Sequence, residues 1–384
     1  MPENKFLLIP GPTQVPNRVL AAQSAPMVSH RSSEFTAIFN QLAQNVKTVF
    51  KTNNEVLIMT CSGTGSLEAA LVSFLNRGDK ILVASIGNFG DRWRDIAAAY
   101  AFDVEYIGFP WGEAIDPQII REKLTADTGH KIKAILLQQH ETSTGVYNPL
   151  AEISAARGDH PALLMVDAIS GLAACPLETD LWGLDVVISS SQKALMTPPG
   201  LSLVSVSPRA WAANQKSDMP KFYLDLGKAR KYALDDQTPF TPAISLIYAL
   251  NEAVKMIVED GIDQVIRKHY QRRDAVRAAI LAMGLQPVAA EACAGGALTA
   301  FYTPENIAPK SITSIMNKDY QAVIAGGMGQ LKNKTLRFAH LGYVRDLDLL
   351  AGISALTMAL AANGYPVELG AAAAAFEKTL LSFK

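Results

Sequence analysis

Ser189-Ser190-Ser191-Gln192-Lys193 follows Asp185-Val186-Val187-Ile188, an apolar run that puts a lysine just past a buried strand end. An ammonium there is poorly solvated. Desolvation lowers its pKa and frees the amine to act as a nucleophile or to form a Schiff base. Asp167 closes a second apolar run, Ala162-Leu163-Leu164-Met165-Val166, and places a carboxylate at another strand tip. In a parallel sheet such tips share one crevice. A carboxylate able to hold a pyridinium nitrogen, beside a lysine able to form an imine, is what pyridoxal phosphate requires. The first expectation is an enzyme.

Other motifs carry weaker signals. Cys61-Ser62-Gly63-Thr64-Gly65-Ser66 follows a strand and opens a helix, so its small residues let backbone N–H groups approach an anion. Taken alone it is an ordinary strand–helix turn. It lacks the lysine of a P-loop and is not a full GxGxxG, which favours a lone phosphate ester over a nucleotide. Phe89, in Gly87-Asn88-Phe89-Gly90, can stack on a planar ring or simply cap the core. His140-Glu141 resembles a catalytic pair, but a satisfied structural histidine is the favoured reading; His30-Arg31 is similarly ambiguous, and neither is taken as an acid–base catalyst. Arg337 sits alone in the apolar strand Leu336-Arg337-Phe338-Ala339, where a buried charge must find an anion. Its fork suits a carboxylate, and a structural salt bridge is the alternative.

Elements that position these residues can be read from periodicity. Val56–Thr60, Lys80–Ala84, Val104–Phe109, Lys133–Gln138, Leu163–Asp167, Val186–Ser190 and Leu201–Val206 read as about seven strands. Helical patterns separate them over Glu34–Phe50, Gly65–Leu75, Asp91–Tyr100 and from Asp116-Pro117 to about Ala126. Continuous apolar strands alternating with helices imply a mostly parallel α/β sheet covered on both faces. The step through Thr197-Pro198-Pro199-Gly200 is too short for a crossover, so the last pair is expected to be antiparallel. Helices are expected from Ala243 to Glu259 and from Ile262 to Met283, then strands near Ala297–Tyr302 and Thr335–Phe338, with a helical tail. Gly326-Gly327-Met328-Gly329 reads as a flexible loop. A domain change is placed near residue 260: 21–260 as the large domain, 1–20 with 261–384 as a smaller α+β one.

The whole chain narrows the class. Its 384 residues allow two domains, and 49% hydrophobic with 18% charged residues describes a soluble globular protein. A net charge of −1 without a dense basic run offers nothing to nucleic acid or an anionic membrane. Cys61, Cys175 and Cys293 are scattered, with no disulfide or metal-site spacing. Met1-Pro2-Glu3-Asn4-Lys5 is too polar for a signal peptide, and no apolar run approaches the roughly 20 residues of a membrane span. The cytoplasm is the expected location.

In order along the chain, these motifs resemble the class V aminotransferases of pyridoxal-phosphate fold type I. Within them the likeness is to alanine–glyoxylate and serine–glyoxylate aminotransferases. Its landmarks are Pro10-Gly11-Pro12-Thr13, Ser62-Gly63-Thr64-Gly65, Glu141-Thr142-Ser143-Thr144-Gly145-Val146, Val166-Asp167-Ala168, Ser190-Ser191-Gln192-Lys193-Ala194 and Pro198-Pro199-Gly200. Phe222-Tyr223-Leu224-Asp225, Thr238-Pro239-Phe240-Thr241-Pro242 and Leu336-Arg337 continue it. The resemblance implies that Lys193 holds pyridoxal 5'-phosphate covalently and shuttles a proton, while Asp167 keeps the pyridine nitrogen protonated. It implies phosphate contacts from Ser62, Gly63, Thr64 and Gln192, and a contact from Thr142 near the ring hydroxyl. Phe89 and Ile169 would take the two ring faces, Arg337 the substrate α-carboxylate, and Gly11 the wall of the substrate pocket. Thr238 and Thr241 match positions that reach the neighbouring subunit's phosphate, which implies a homodimer.

Some relatives carry tryptophan where Phe89 stands and tyrosine where Thr238 stands, so stacking and phosphate contacts are expected to be weaker here. Proteins named as the small subunit of a cyanobacterial soluble hydrogenase are also similar. Three scattered cysteines cannot supply the usual thiolate-bound metal of a hydrogenase. The expected function is transfer of an amino group from alanine or serine to a small 2-oxo acid, glyoxylate foremost. One rival is a lyase or sulfur-transfer enzyme, with Cys175 or Cys293 as the candidate thiol. The other is a non-catalytic partner subunit that keeps the pocket.

Overall fold

The computed structural model describes residues 5–383; the polar residues 1–4 of the leader and small-domain readings, and Lys384, lie outside it. Seven strands form the main sheet: β1 (Glu55–Met59), β2 (Lys80–Ser85), β3 (Asp103–Gly108), β4 (Ile132–Gln138), β5 (Leu163–Asp167), β6 (Val186–Ser190) and β7 (Ser202–Val206). Their order is β1-β7-β6-β5-β4-β2-β3. Only β7 runs against its neighbours, antiparallel to both β6 and β1, as the short Thr197–Gly200 connection requires. The expectation of a mostly parallel seven-stranded α/β sheet holds.

The apolar strands are continuous because both faces are covered. Leu82, Ile135, Leu164 and Val187 point into one core, and Ile81, Leu136, Met165 and Ile188 into the other. Helices α1 (Ser33–Phe50), α2 (Gly63–Phe74), α3 (Asn88–Ala99), α4 (Pro117–Ala126), α5 (Leu150–Arg157) and α6 (Ile244–Asp260) supply the covering layers. Ser32 caps α1 by accepting the Phe35 N–H, and Phe35, Phe39, Leu42, Val46 and Val49 bury one stripe. Asp116 caps α4 with Pro117 at its first turn.

A third core gathers Leu8 with α7 (Ile262–Ala282), β8 (Leu298–Tyr302), β10 (Thr335–Ala339), α8 (Asp346–Ala362) and α9 (Ala371–Leu381), and the short β9 (Ala325–Gly326) pairs with β10. The sheet order is β8-β10-β9. Two expectations need correction here. Gly326 is not in a free loop: it pairs with Leu336, and the Gly327 N–H donates to Thr335 O at 2.9 Å. Helices α2 and α3 start at Gly63 and Asn88, earlier than Gly65 and Asp91, because Ser62 and Gly87 are the residues that precede the first turn. Among the described residues no helix is long and apolar enough to cross a membrane.

At the strand ends opposite the carboxyl-terminal crevice, Asp185 ties three strands together. It accepts the Leu164 N–H at 2.9 Å, Arg157 Nη1 at 2.6 Å and Ser207 Oγ at 2.9 Å, and it is only 2% exposed. Asp185→Ala would leave the buried Arg157 guanidinium unpaired, at a cost of about 3–5 kcal/mol. A urea-unfolding midpoint that does not fall in this variant would contradict that account.

Candidate active site

Every chemistry-bearing loop leaves the carboxyl end of a strand. Ser62 follows β1, Gly87 follows β2, His140 and Glu141 follow β4, Asp167 ends β5 and Lys193 lies three residues past β6. In register, Asp167 is paired with Gln138 of β4 and with Ile188 of β6, so the sheet itself sets the carboxylate beside the lysine loop. Ser62, Gly63, Thr64, Phe89, Thr142 and Asp167 line one cleft of about 480 Å³ of empty space, together with Ile169, Gln192 and Lys193.

Lys193 Nζ donates to the Pro10 carbonyl. Gly11 follows, at φ +119°, and a Cβ there would lie 2.7 Å from Lys193 Cδ and 2.8 Å from Nζ. A glycine is therefore required both by the backbone and by the lysine stem. Burial, with repulsion from Arg337 and Arg92, brings the Lys193 amine down to about 8 against the attraction of Asp167. Burial, with repulsion from Glu141, pushes Asp167 up to about 7; the Ile169 N–H, 2.8 Å from Oδ1, and the cations Arg92 and Lys193 oppose the rise.

Around this pair the cradle is shaped by small and neutral groups. Ser62 caps α2, its Oγ accepting the Gly65 N–H at 3.4 Å. A Cβ on Gly63 would come within 2.5 Å of Ile169 Cδ1 and 3.2 Å of Ser190 Cβ, so a larger residue here would push the Ile169 side chain aside. Gln192 Oε1 accepts from Ser190 Oγ at 2.5 Å, which leaves its NH₂ as the end free to meet a ligand. Arg337 is 8% exposed and pairs with no carboxylate among the described residues. Its Nε donates to Gly326 O at 2.9 Å and Nη1 to Thr142 O at 3.2 Å. The salt-bridge alternative for this arginine is thereby replaced by carbonyl contacts, and burial brings the guanidinium down to about 10. Thr238 and Thr241 do not line this cleft; they border a separate recess with Thr60, Tyr223 and Phe240.

Glu141 is structural. Its buried carboxylate accepts the N–H groups of Phe89, Gly90 and Ser143 and the Ser143 hydroxyl, and so holds the turn that carries Phe89. Burial raises its pKa. His140 lines the cleft with Nδ1 2.9 Å from Ser170 Oγ, and burial brings it down to about 3, so it is neutral. His30 and Arg31 lie elsewhere, Arg31 bonded to Gln237. Two cleft residues escaped the sequence reading, Arg92 and Ser170. Arg92 follows Phe89 by one helical turn, a spacing visible only once the helix is started at Asn88. None of the three cysteines lines the cleft. Burial pushes the Cys175 thiol up to about 12, which leaves the sulfur-transfer rival without a nucleophile here.

The profile of the family described as aminotransferase class-V matches residues 5–339. The chain belongs to the class-V aminotransferases. It is similar to the soluble hydrogenase 42 kDa subunit of Anabaena cylindrica, 43% identical over 95% of each chain. Similarity to the L-aspartate–glyoxylate aminotransferase of Paracoccus denitrificans is 35% identity over 97% of this chain and 95% of that one. The crystal structure of ureidoglycine–glyoxylate aminotransferase from Bacillus subtilis superposes with a TM-score of 0.93 at 27% identity, covering 99% and 98% of the two chains. The cofactor of this class-V aminotransferase is pyridoxal phosphate. The cleft fits it: a half-buried amine and a buried carboxyl face one space, and a glycine-shaped turn at the start of α2 leaves room for an anion.

An amine must be neutral to attack an aldehyde. Trapping pyridoxal phosphate on the cofactor-free protein with borohydride should therefore quicken as pH rises through about 8. An inflection near the ordinary lysine value of about 10.4 would show that burial does not act on Lys193 as described.

Proposed function

We propose that this chain is a pyridoxal-phosphate transaminase that moves the amino group of a small amino acid, alanine or serine, to a small 2-oxo acid, glyoxylate. The observation that carries the reading is Lys193 and Asp167 lining a single cleft. Family membership and the relatives named as glyoxylate aminotransferases support it.

When bound, the cofactor supplies a cationic ring that withdraws electrons from the substrate's Cα. The chain's own residues do the rest. Asp167, once opposite a ring nitrogen, is ionised and keeps that nitrogen protonated. Lys193 carries the cofactor and later moves the Cα proton through Nζ. Ser62, Gly63, Thr64 and Gln192 hold the phosphate, Thr142 the ring-hydroxyl region, and Phe89 and Ile169 the two faces. Arg337 receives the α-carboxylate in a bidentate fork, and Gly11 leaves space for a small side chain only. Two half-reactions share the site, so the kinetics are ping-pong.

Residues 21–260 form the cofactor-binding domain on this reading, and 1–20 with 261–384 the small one. Thr238 and Thr241 serve a second copy's phosphate, making a homodimer. The exposed aromatic pair Phe222 and Tyr223, packed on Phe240 beside those threonines, supports that interface.

Incubating the purified protein with alanine or serine plus glyoxylate should yield glycine and the matching 2-oxo acid. No product from either donor would sink the proposal in favour of the partner-subunit reading. Lys193→Ala should lose both turnover and the visible absorbance of the bound cofactor, and an active variant would remove Lys193 from the mechanism. Arg337→Ala should raise the amino acid KM by roughly 10- to 100-fold, the worth of a charge-assisted bond. An unchanged KM would mean that another group binds the carboxylate.

A further inference from the structure

Arg92 stands in the cleft with no ion pair to an aspartate or glutamate among the described residues. Its guanidinium carbon lies 4.5 Å from the centre of the Phe89 ring, and Nη1 donates to Thr64 Oγ1 at 3.3 Å. Thr64 is in the first turn of α2, so this cation is held at the turn that the proposed function assigns to phosphate. Because Thr64 Oγ1 accepts from Arg92, its own hydrogen stays available for an anion.

A charge count shows why that matters. A phosphate monoester carries about −1.5 to −2 near pH 7. The end of α2 supplies roughly +0.5, while Ser62, Thr64 and Gln192 are neutral donors. Thr238 and Thr241, from a second copy, would add only hydroxyls. Lys193 is committed to the cofactor's aldehyde carbon, and Arg337, held by the carbonyls of Thr142 and Gly326, is assigned to the substrate's carboxylate. The cradle named so far therefore lacks about one full positive charge.

We propose that Arg92 is a cofactor-binding residue whose guanidinium neutralises the phosphate of pyridoxal phosphate, with Thr64 aligning it. The inference rests on the pyridoxal-phosphate reading above. It does not cast Arg92 as a clamp for the side-chain carboxylate of a dicarboxylic amino acid, and the two roles separate experimentally.

The full chain, stripped of cofactor, is titrated with pyridoxal phosphate and with pyridoxal, which has the same ring and aldehyde but no phosphate. Arg92→Gln should bind pyridoxal phosphate about 10- to 100-fold more weakly while binding pyridoxal as the unaltered chain does. Inorganic phosphate should compete with pyridoxal phosphate in the unaltered chain and lose that effect in the variant. Arg92→Lys should recover part of the affinity. Unchanged pyridoxal binding also reports that the variant's cleft has kept its shape. Equal losses for both aldehydes, or no loss for either, would overturn the assignment. So would intact pyridoxal-phosphate affinity with a KM increase confined to aspartate or glutamate. If the unaltered chain binds neither aldehyde, the cofactor reading itself fails and this inference goes with it.

Discussion

Burial of two opposite charges in one crevice is the constraint on which this structure turns. Water would keep the Lys193 amine protonated and the Asp167 carboxyl ionised; removal from water moves each toward its neutral form, one down to about 8 and the other up to about 7. Neither group can be satisfied by its partner alone, since no hydrogen bond joins them directly and Lys193 is turned to the Pro10 carbonyl. Such a pair is costly in a resting fold and useful only when a ligand brings its own positive and electrophilic centres.

The sheet bears the cost of this arrangement. Asp167 and the lysine loop meet because β5 and β6 are parallel neighbours; with both sheet faces covered by helices, Asp167 is buried while Lys193 is half-buried at the cleft. Fixed dipoles and buried carboxylates then tune the rim. Glu141 has no chemistry of its own, yet without its four acceptor contacts the turn bearing Phe89 would have unpaired N–H groups.

Much of this was legible in the residue order. Continuous apolar strands such as Leu163–Asp167 announced themselves because a two-faced burial leaves no polar alternation to misread. The reversed β7 followed from the length of one connection. What escaped depends on partners distant in sequence. Gly326 looks like loop because its strand exists only through pairing with Leu336. The helix over Asn17–Gln23, preceded by Pro16, was missed because only one of its residues, Val19, is buried and no apolar stripe marks it. Arg92 was overlooked because its neighbourhood is defined by Thr64, on a different helix. Arg337 was recognised as a lone strand cation, but the carbonyls that hold it have no side-chain signature at all.

That last feature carries a consequence for how this protein is handled. A guanidinium steadied by peptide oxygens keeps its whole charge, whereas one steadied by a carboxylate would already be cancelled. Arg337 thus keeps a charge that no carboxylate among the described residues cancels. On the proposed reading, acetate, formate and similar buffer salts would meet the same uncancelled fork as an amino acid's carboxylate and would compete with it.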